Sequence, residues 1–123
     1  MIRAARCKMD NTYREALGET PGVTFQQYSP HVAPLLWAFA VRLDPALFPQ
    51  GRNAVIAGMT ERGIETRPGF VAPSLMPHIY NTRSSHTCEM LSRWVISLPS
   101  YPTLLREDIF SICDSLKNQM TIL

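Results

Sequence analysis

Apart from its ten carboxylates, the side chains able to do covalent, metal or acid–base chemistry are few in this sequence. It holds the lysines Lys8 and Lys117, the cysteines Cys7, Cys88 and Cys113, and the histidines His31, His78 and His86. His86 and Cys88 stand two residues apart, but a zinc site wants four ligands, normally as two such pairs, and no second pair exists. The odd cysteine count and wide spacing do not make a disulfide framework, so free thiols in a reducing compartment are expected. His31 lies in a Pro-bounded loop and carries no signal. A Ser-His-Asp relay is recognised by geometry, so none is argued from sequence. No glycine-rich phosphate cradle is present. Lys8 falls on the polar side of an N-terminal helix and Lys117 in the last turn of a C-terminal one, which reads as two solvated amines.

The elements that position these residues follow from periodicity. Ile2, Ala5, Met9, Tyr13 and Ala16/Leu17 recur at helical spacing, predicting a helix over Met1 to Leu17 that ends at Gly18 and Pro21. No Ser, Thr, Asp or Asn caps its first turn, so it reads as the later part of a longer helix. Leu35 to Leu43, bounded by Pro34 and Asp44-Pro45, predicts a strand. Arg52 to Arg62 predicts a helix with Gly63 as its C-terminal cap. Ile64 to Arg67 predicts a short strand. Phe70 to Thr82 reads as a structured loop with a helical turn at Pro77 to Tyr80. Ser84 or Ser85 caps a helix running through Arg93. Trp94 to Leu98 predicts a third strand, ended by Pro99. Arg106 to Met120 predicts the last helix, with the apolar stripe Ile109, Ile112, Cys113, Leu116 and Met120. The expected fold is therefore α+β, a small three-stranded, mainly antiparallel sheet with helices packed on one face.

At 123 residues the chain is long enough for one domain, read as spanning 1–123. Apolar residues make up 46% and charged residues 18%, a globular composition. The net charge of +2 is spread without any Lys/Arg run, so nucleic acid is not an expected partner. No apolar stretch reaches the roughly 18 residues of a membrane span. Met1 to Asp10 lacks the apolar core of a secretory signal, and a cytoplasmic location is expected.

The segments Met1 to Leu17, Leu36 to Leu43, Glu61 to Tyr80 and Met90 to Ile109, taken in that order, resemble the C-terminal domain of the DegT/DnrJ/EryC1/StrS family of sugar aminotransferases, which use pyridoxal phosphate (PLP). Glu61 to Tyr80 reads ERGIETRPGFVAPSLMPHIY, with the family's Gly-Ile-x-Thr-Arg segment and a following loop with Pro and Tyr. Met90 to Pro102 reads MLSRWVISLPSYP and leads into LLREDI at Leu104 to Ile109, similar to its Leu-Pro-x-x-Pro segment and Asp-Ile helix. The strand Leu36 to Leu43 resembles its Trp-x-x-x-Val-x-Leu strand. Met1 to Leu17 resembles its interdomain helix, so that 1–18 would be that helix's tail. The resemblance implies the small domain of a fold type I aminotransferase, with the large PLP-binding domain absent from this chain.

The family is implied to transfer an amino group, usually from glutamate, to a keto-sugar carried by a nucleotide. That chemistry needs a lysine as Schiff base to PLP and an acid beside the pyridine nitrogen. In the family these belong to the large domain, and neither Lys8 nor Lys117 has the matching context. No catalytic, cofactor-binding or metal-binding residue is therefore assigned. The resemblance carries over four substrate-binding candidates, Arg67, Phe70, Ser74 and Tyr80. The planar guanidinium of Arg67 suits a phosphate or carboxylate, or else makes a surface ion pair. Phe70 and Tyr80 would stack on a sugar or base, or else pack against the prolines. Many members have Pro-x-His in this loop. Here Pro73-Ser74-Leu75 stands instead, which implies different sugar contacts.

The expected function is thus that of a C-terminal fragment of a nucleotide-sugar aminotransferase of polysaccharide, O-antigen or antibiotic-sugar biosynthesis. Such a fragment would contribute substrate-covering contacts and be inactive by itself. The resemblance implies as partners a nucleotide sugar, the missing large domain or a separately encoded half, and a second copy in a homodimer. The alternative is a non-enzymatic module that binds a small ligand or another protein.

Overall fold

The computed structural model describes residues 1–80 and 83–121. Helix α1 runs Ile2–Leu17 and buries Met9, Thr12, Tyr13, Ala16 and Leu17, a stripe at spacings of three and four. Strand β1 (Val23–Phe25) follows, then β2 (Phe39–Leu43) and helix α2 (Arg52–Glu61). Strand β3 (Arg67–Pro68), a 3-10 turn (Pro73–Leu75), helix α3 (His86–Trp94), strand β4 (Val95–Leu98) and helix α4 (Arg106–Lys117) complete the order. The sheet order is β1-β2-β4-β3, and every pairing is antiparallel.

The sheet has two unlike faces because its strands alternate. Phe39, Val41 and Leu43 of β2 and Ile96 and Leu98 of β4 are buried, while Ala40, Arg42, Val95 and Ser97 between them are only half-buried. The buried set joins side chains from α1, α2 (Val55, Met59) and α4 (Ile109, Ile112, Cys113, Leu116) in one core. Helix α3 adds to it only the half-buried Trp94 at its C-terminal end. The expected α+β layer, helices against one face of an antiparallel sheet, is the fold observed.

Five differences separate the structure from the sequence expectation, and the first four have physical reasons. The sheet has four strands, since Val23–Phe25 pairs with Leu43–Val41. Three residues after Pro21-Gly22 are too few to show an alternation. Strand β2 starts at Phe39 rather than Leu35. The carbonyls of Leu36 and Trp37 both accept from Arg6 Nη1, at 3.0 and 2.6 Å. Successive carbonyls in a strand point to opposite sides, so this stretch cannot continue the ladder. Strand β3 starts at Arg67 because Ile64 is used to close α2. Gly63 (φ +76) donates to Thr60 O at 2.9 Å and Ile64 to Met59 O at 3.0 Å, the paired bonds of a Schellman cap. The helical turn lies at Pro73–Leu75, with Pro at its first position, and only a hydrogen-bonded turn remains at Pro77. The end of the expected loop at 81–82 lies outside the described residues. Helix α4 ends at Lys117 rather than Met120, continuing as turns.

Tyr13 joins α1 to the sheet. Its ring, fully buried, lies 4.4 Å from that of Phe39 at 9° between planes, and its hydroxyl donates to Pro99 O at 2.7 Å. Burial pushes the phenol well above its ordinary pKa, so it stays a neutral donor. Cys113, also fully buried, has its thiol pushed up to about 12 by burial, which keeps it protonated and unreactive. We expect Tyr13→Phe to lose about 1–2 kcal/mol by leaving the Pro99 carbonyl without its donor. Tyr13→Ala should lose about 3–5 kcal/mol through the cavity it leaves. Urea unfolding of the two variants checks both values, and a Phe variant as stable as the parent would remove the hydrogen bond from the account.

Candidate functional site

The half-buried face of the sheet forms the floor of a groove of about 990 Å³. Ala38, Ala40 and Ser97 on that floor are small, which leaves room above it. Gly69 lies at its side, where a β-carbon would come within 2.9 Å of the Val95 side chain. The chain therefore passes close over β4 only because residue 69 is glycine. Trp37 and Phe70 stand at the rim, their rings stacked at 6.2 Å and 27°. They are 64% and 84% exposed, so their outer faces are open to a ligand.

Arg67 pairs with Ser97 across the β3–β4 ladder, which sets both side chains on the groove face. Its Nη2 donates to Glu65 Oε1 at 2.7 Å, and both side chains are more than three-quarters exposed. Such a pair contributes about 0–1 kcal/mol, so an incoming anion competes for the guanidinium on easy terms. Arg62 also lines the groove, with Nη1 turned back to Gly58 O at 3.0 Å. The far wall is α4. Its apolar stripe faces the core, while Asp108, Ser111 and Ser115, spaced three and four apart, line the groove. Tyr101 adds a third aromatic ring.

Chemically, this surface offers guanidinium donors, hydroxyls, carboxylates and aromatic faces. It suits a ligand that joins a flat or hydroxylated part to an anionic one. No lysine, histidine or cysteine lines it. Among the described residues no group of three or more His, Cys, Asp or Glu is arranged to hold a metal ion. All three thiols are free, with Cys7 and Cys88 exposed. No helix among the described residues is long and apolar enough to cross a membrane.

Of the four residues singled out from sequence, the structure brings Arg67 and Phe70 together on the groove wall. Ser74 and Tyr80 are outside its lining. Tyr80 is 83% exposed. The Ser74 hydroxyl donates to Glu89 Oε1 at 2.8 Å, and Ser84 donates to the same oxygen at 2.9 Å. Beside them Ser85 caps α3, accepting from Cys88 N, and Ser92 Oγ accepts from Ala72 N at 3.0 Å. Ser74 thus fastens the loop to α3, and with it the approach of Phe70 to the rim. Sequence reasoning missed Trp37 and Tyr101 as groove residues, and missed the α4 wall. The small–large alternation of Ala38-Phe39-Ala40-Val41 and the polar spacing of Asp108, Ser111 and Ser115 were signals that pointed there.

The two serine hydroxyls hold the Glu89 carboxyl below its usual pKa. A lowered folded value means that this attachment contributes above the unfolded carboxylate pKa of roughly 4.3 and is lost as pH falls through the folded one. In Ser74→Ala the Glu89 titration should move up toward the ordinary carboxylate range, and the loop should be loosened at every pH instead of only at low pH. A side-chain NMR titration of Glu89 measures this, and an unmoved midpoint would contradict the role given to Ser74.

The comparisons with known proteins agree with this architecture. The DegT/DnrJ/EryC1/StrS aminotransferase family matches residues 1–117. The structure of DesI in the presence of its TDP-sugar product superposes with a TM-score of 0.81 at 25% identity, covering 95% of this chain and 31% of that one. DesV of S. venezuelae, in complex with a ketimine intermediate, gives 0.78 at 23% identity, with 94% and 31% covered. The PLP-form of Spr1654 from Streptococcus pneumoniae gives 0.81 at 15% identity, with 96% and 31% covered. The chain thus spans about three-tenths of the length of these proteins. No curated protein matches its sequence. By the match over nearly all of its length, the chain belongs to the DegT/DnrJ/EryC1/StrS aminotransferase family.

Proposed function

We propose that this chain is the small domain of an aminotransferase acting on nucleotide-linked keto-sugars, and that its groove supplies substrate contacts while the cofactor chemistry comes from elsewhere. The observation that carries this reading is the groove itself, which joins Arg67 and Arg62 to the aromatic rim and the hydroxyls of α4. PLP, the family's cofactor, supplies the electron sink for amino transfer and requires a lysine amine to hold it. The residues present do not fit it. Lys8 is exposed on α1, Lys117 ends α4, and neither lines the groove. No step of the reaction is therefore assigned to a residue of this chain. Arg67 and Arg62 would hold the anionic part of the substrate, and Phe70 with Trp37 would cover a flat part and keep water from it.

The rest of the reading follows from the same surface. Ile2, Leu35, Trp37 and Phe70 are large, apolar and exposed, which suits cover by further protein. That protein would be the cofactor-binding part of a longer aminotransferase, or a separately encoded half, with a second copy completing a homodimer. The sugar product would enter polysaccharide, O-antigen or antibiotic-sugar synthesis in the cytoplasm. The chain alone would then be inactive, and residues 1–18 would be the end of a helix linking the two domains.

A second reading, a module that binds a ligand or a protein without catalysis, draws on the same lack of an amine in the groove. Two measurements separate these readings from an autonomous enzyme. Adding PLP should produce no visible absorbance that Lys8→Ala or Lys117→Ala removes. A thymidine-diphosphate-linked sugar should quench Trp37 saturably, and Arg67→Ala should weaken that binding about tenfold. Saturable binding by the chain alone that is indifferent to Arg67 would overturn the assignment of the groove. Binding only after a cofactor-bearing partner is added favours the aminotransferase over the module.

A further inference from the structure

Arg6 is not in the groove, yet three backbone carbonyls that shape the groove converge on it. Its Nη1 reaches Leu36 O at 3.0 Å, Trp37 O at 2.6 Å and Ser100 O at 3.1 Å. The first two belong to the chain entering β2 and the third to the chain leaving β4. Ser100 in turn accepts from Phe39 N on its hydroxyl at 2.8 Å and donates that hydroxyl to Leu98 O at 2.7 Å. One nitrogen of α1 therefore fastens together the strand ends that carry Trp37 and Tyr101 to the groove.

Arg6 has a second connection to the same residue. With Ile2, Arg3 and Cys7 of α1 and the segment Pro34 to Trp37 it encloses a smaller, mostly apolar cavity of about 350 Å³. Trp37 lines both this cavity and the groove. Trp37 is thus shared between them, and its backbone carbonyl is tied down from the α1 side. Among the described residues the indole makes no hydrogen bond, and Phe70 is the ring stacked against it.

We propose that Arg6 is a positioning residue for the groove, setting the place of Trp37, so that the start of α1 and ligand binding are coupled through that ring. The proposal rests on the reading of the groove as a ligand site, but its first test does not. All three bonds end on a single nitrogen, so the fork geometry of arginine is not what the site uses. A lysine ammonium, with three donors on a stem of similar reach, can replace it. Methionine keeps the apolar stem and removes every donor.

The test compares Arg6→Met and Arg6→Lys in a Trp94→Phe background, which leaves Trp37 as the sole indole. Arg3→Met serves as the control for loss of charge on the same turn. Acrylamide quenching of Trp37 should rise about twofold in Arg6→Met, stay near the parent value in Arg6→Lys, and stay there in Arg3→Met. Thymidine diphosphate, used as the probe, should bind about two- to tenfold more weakly to Arg6→Met, the range expected for one or two lost hydrogen bonds, and be rescued in Arg6→Lys. A folded Arg6→Met with unchanged quenching overturns the proposal. So does a folded Arg6→Lys whose Trp37 is as accessible as in the Met variant. Should Arg6→Met fail to fold, the lysine variant alone decides, since it must keep the parent's quenching. If the parent chain binds no thymidine diphosphate, the groove reading fails while the quenching arm still decides the role of Arg6.

Discussion

The structure depends first on how α1 lies against the sheet, and that is set by one neutral phenol. Tyr13 brings an aromatic face to Phe39 and a hydroxyl to Pro99 O, so a single buried side chain fixes both the distance and the rotation of the helix. Stacking alone would tolerate sliding. The hydrogen bond removes that freedom, because an unpaired buried carbonyl is costly. Two helical turns earlier on the same face stands Arg6, which can reach its three carbonyls only in the rotation that Tyr13 enforces. A bidentate pair, Arg106 to Glu15 at 2.9 and 2.5 Å, ties the same helix to the start of α4, although it is too exposed to dominate.

The groove is a consequence of that one-sided packing. Helices α1, α2 and α4 bury one face of the sheet and leave the other half-covered, and the strands carry large residues inward and small ones outward. Small side chains on a sheet face stabilise little by burial, so Ala40 and Ser97 have no evident role in holding the fold together. Their size has a consequence on the other side, where it opens space beneath the Trp37–Phe70 rim. Arg52 supports the arrangement from the start of α2, donating to Ser92 O at the end of α3 and to Val95 O, and its burial lowers its pKa from the ordinary value.

Much of this was legible from the residues. Helices α1 and α4 show their buried stripes as spacings of three and four, and the end of α2 at Gly63 was marked by the glycine. The antiparallel α+β layer followed from those elements, as did the family, from the segments around Arg67, Pro99 and Asp108. What was not legible is what long-range contacts decide. Nothing local distinguishes Leu35 to Ala38 from strand. It is Arg6, thirty residues away, that gathers the Leu36 and Trp37 carbonyls to one side. Strand β1 exists because β2 offers it an edge. For the site, type alone nominated Arg67, Phe70, Ser74 and Tyr80, but only geometry separates the pair on the groove from a serine fastened to Glu89 and a tyrosine that lies elsewhere.

The central proposal is that the open sheet face, and not the loop that follows it, is the surface this domain would present to a ligand. Amide hydrogen exchange along the chain, with and without a thymidine-diphosphate sugar, tests it most directly. The account predicts slowed exchange at Trp37 to Ala40, at Gly69 and Phe70, and at Ser97 to Tyr101, with Ser74 to Tyr80 unchanged. Protection confined to Ser74 to Tyr80, with the sheet residues exchanging as before, would contradict it.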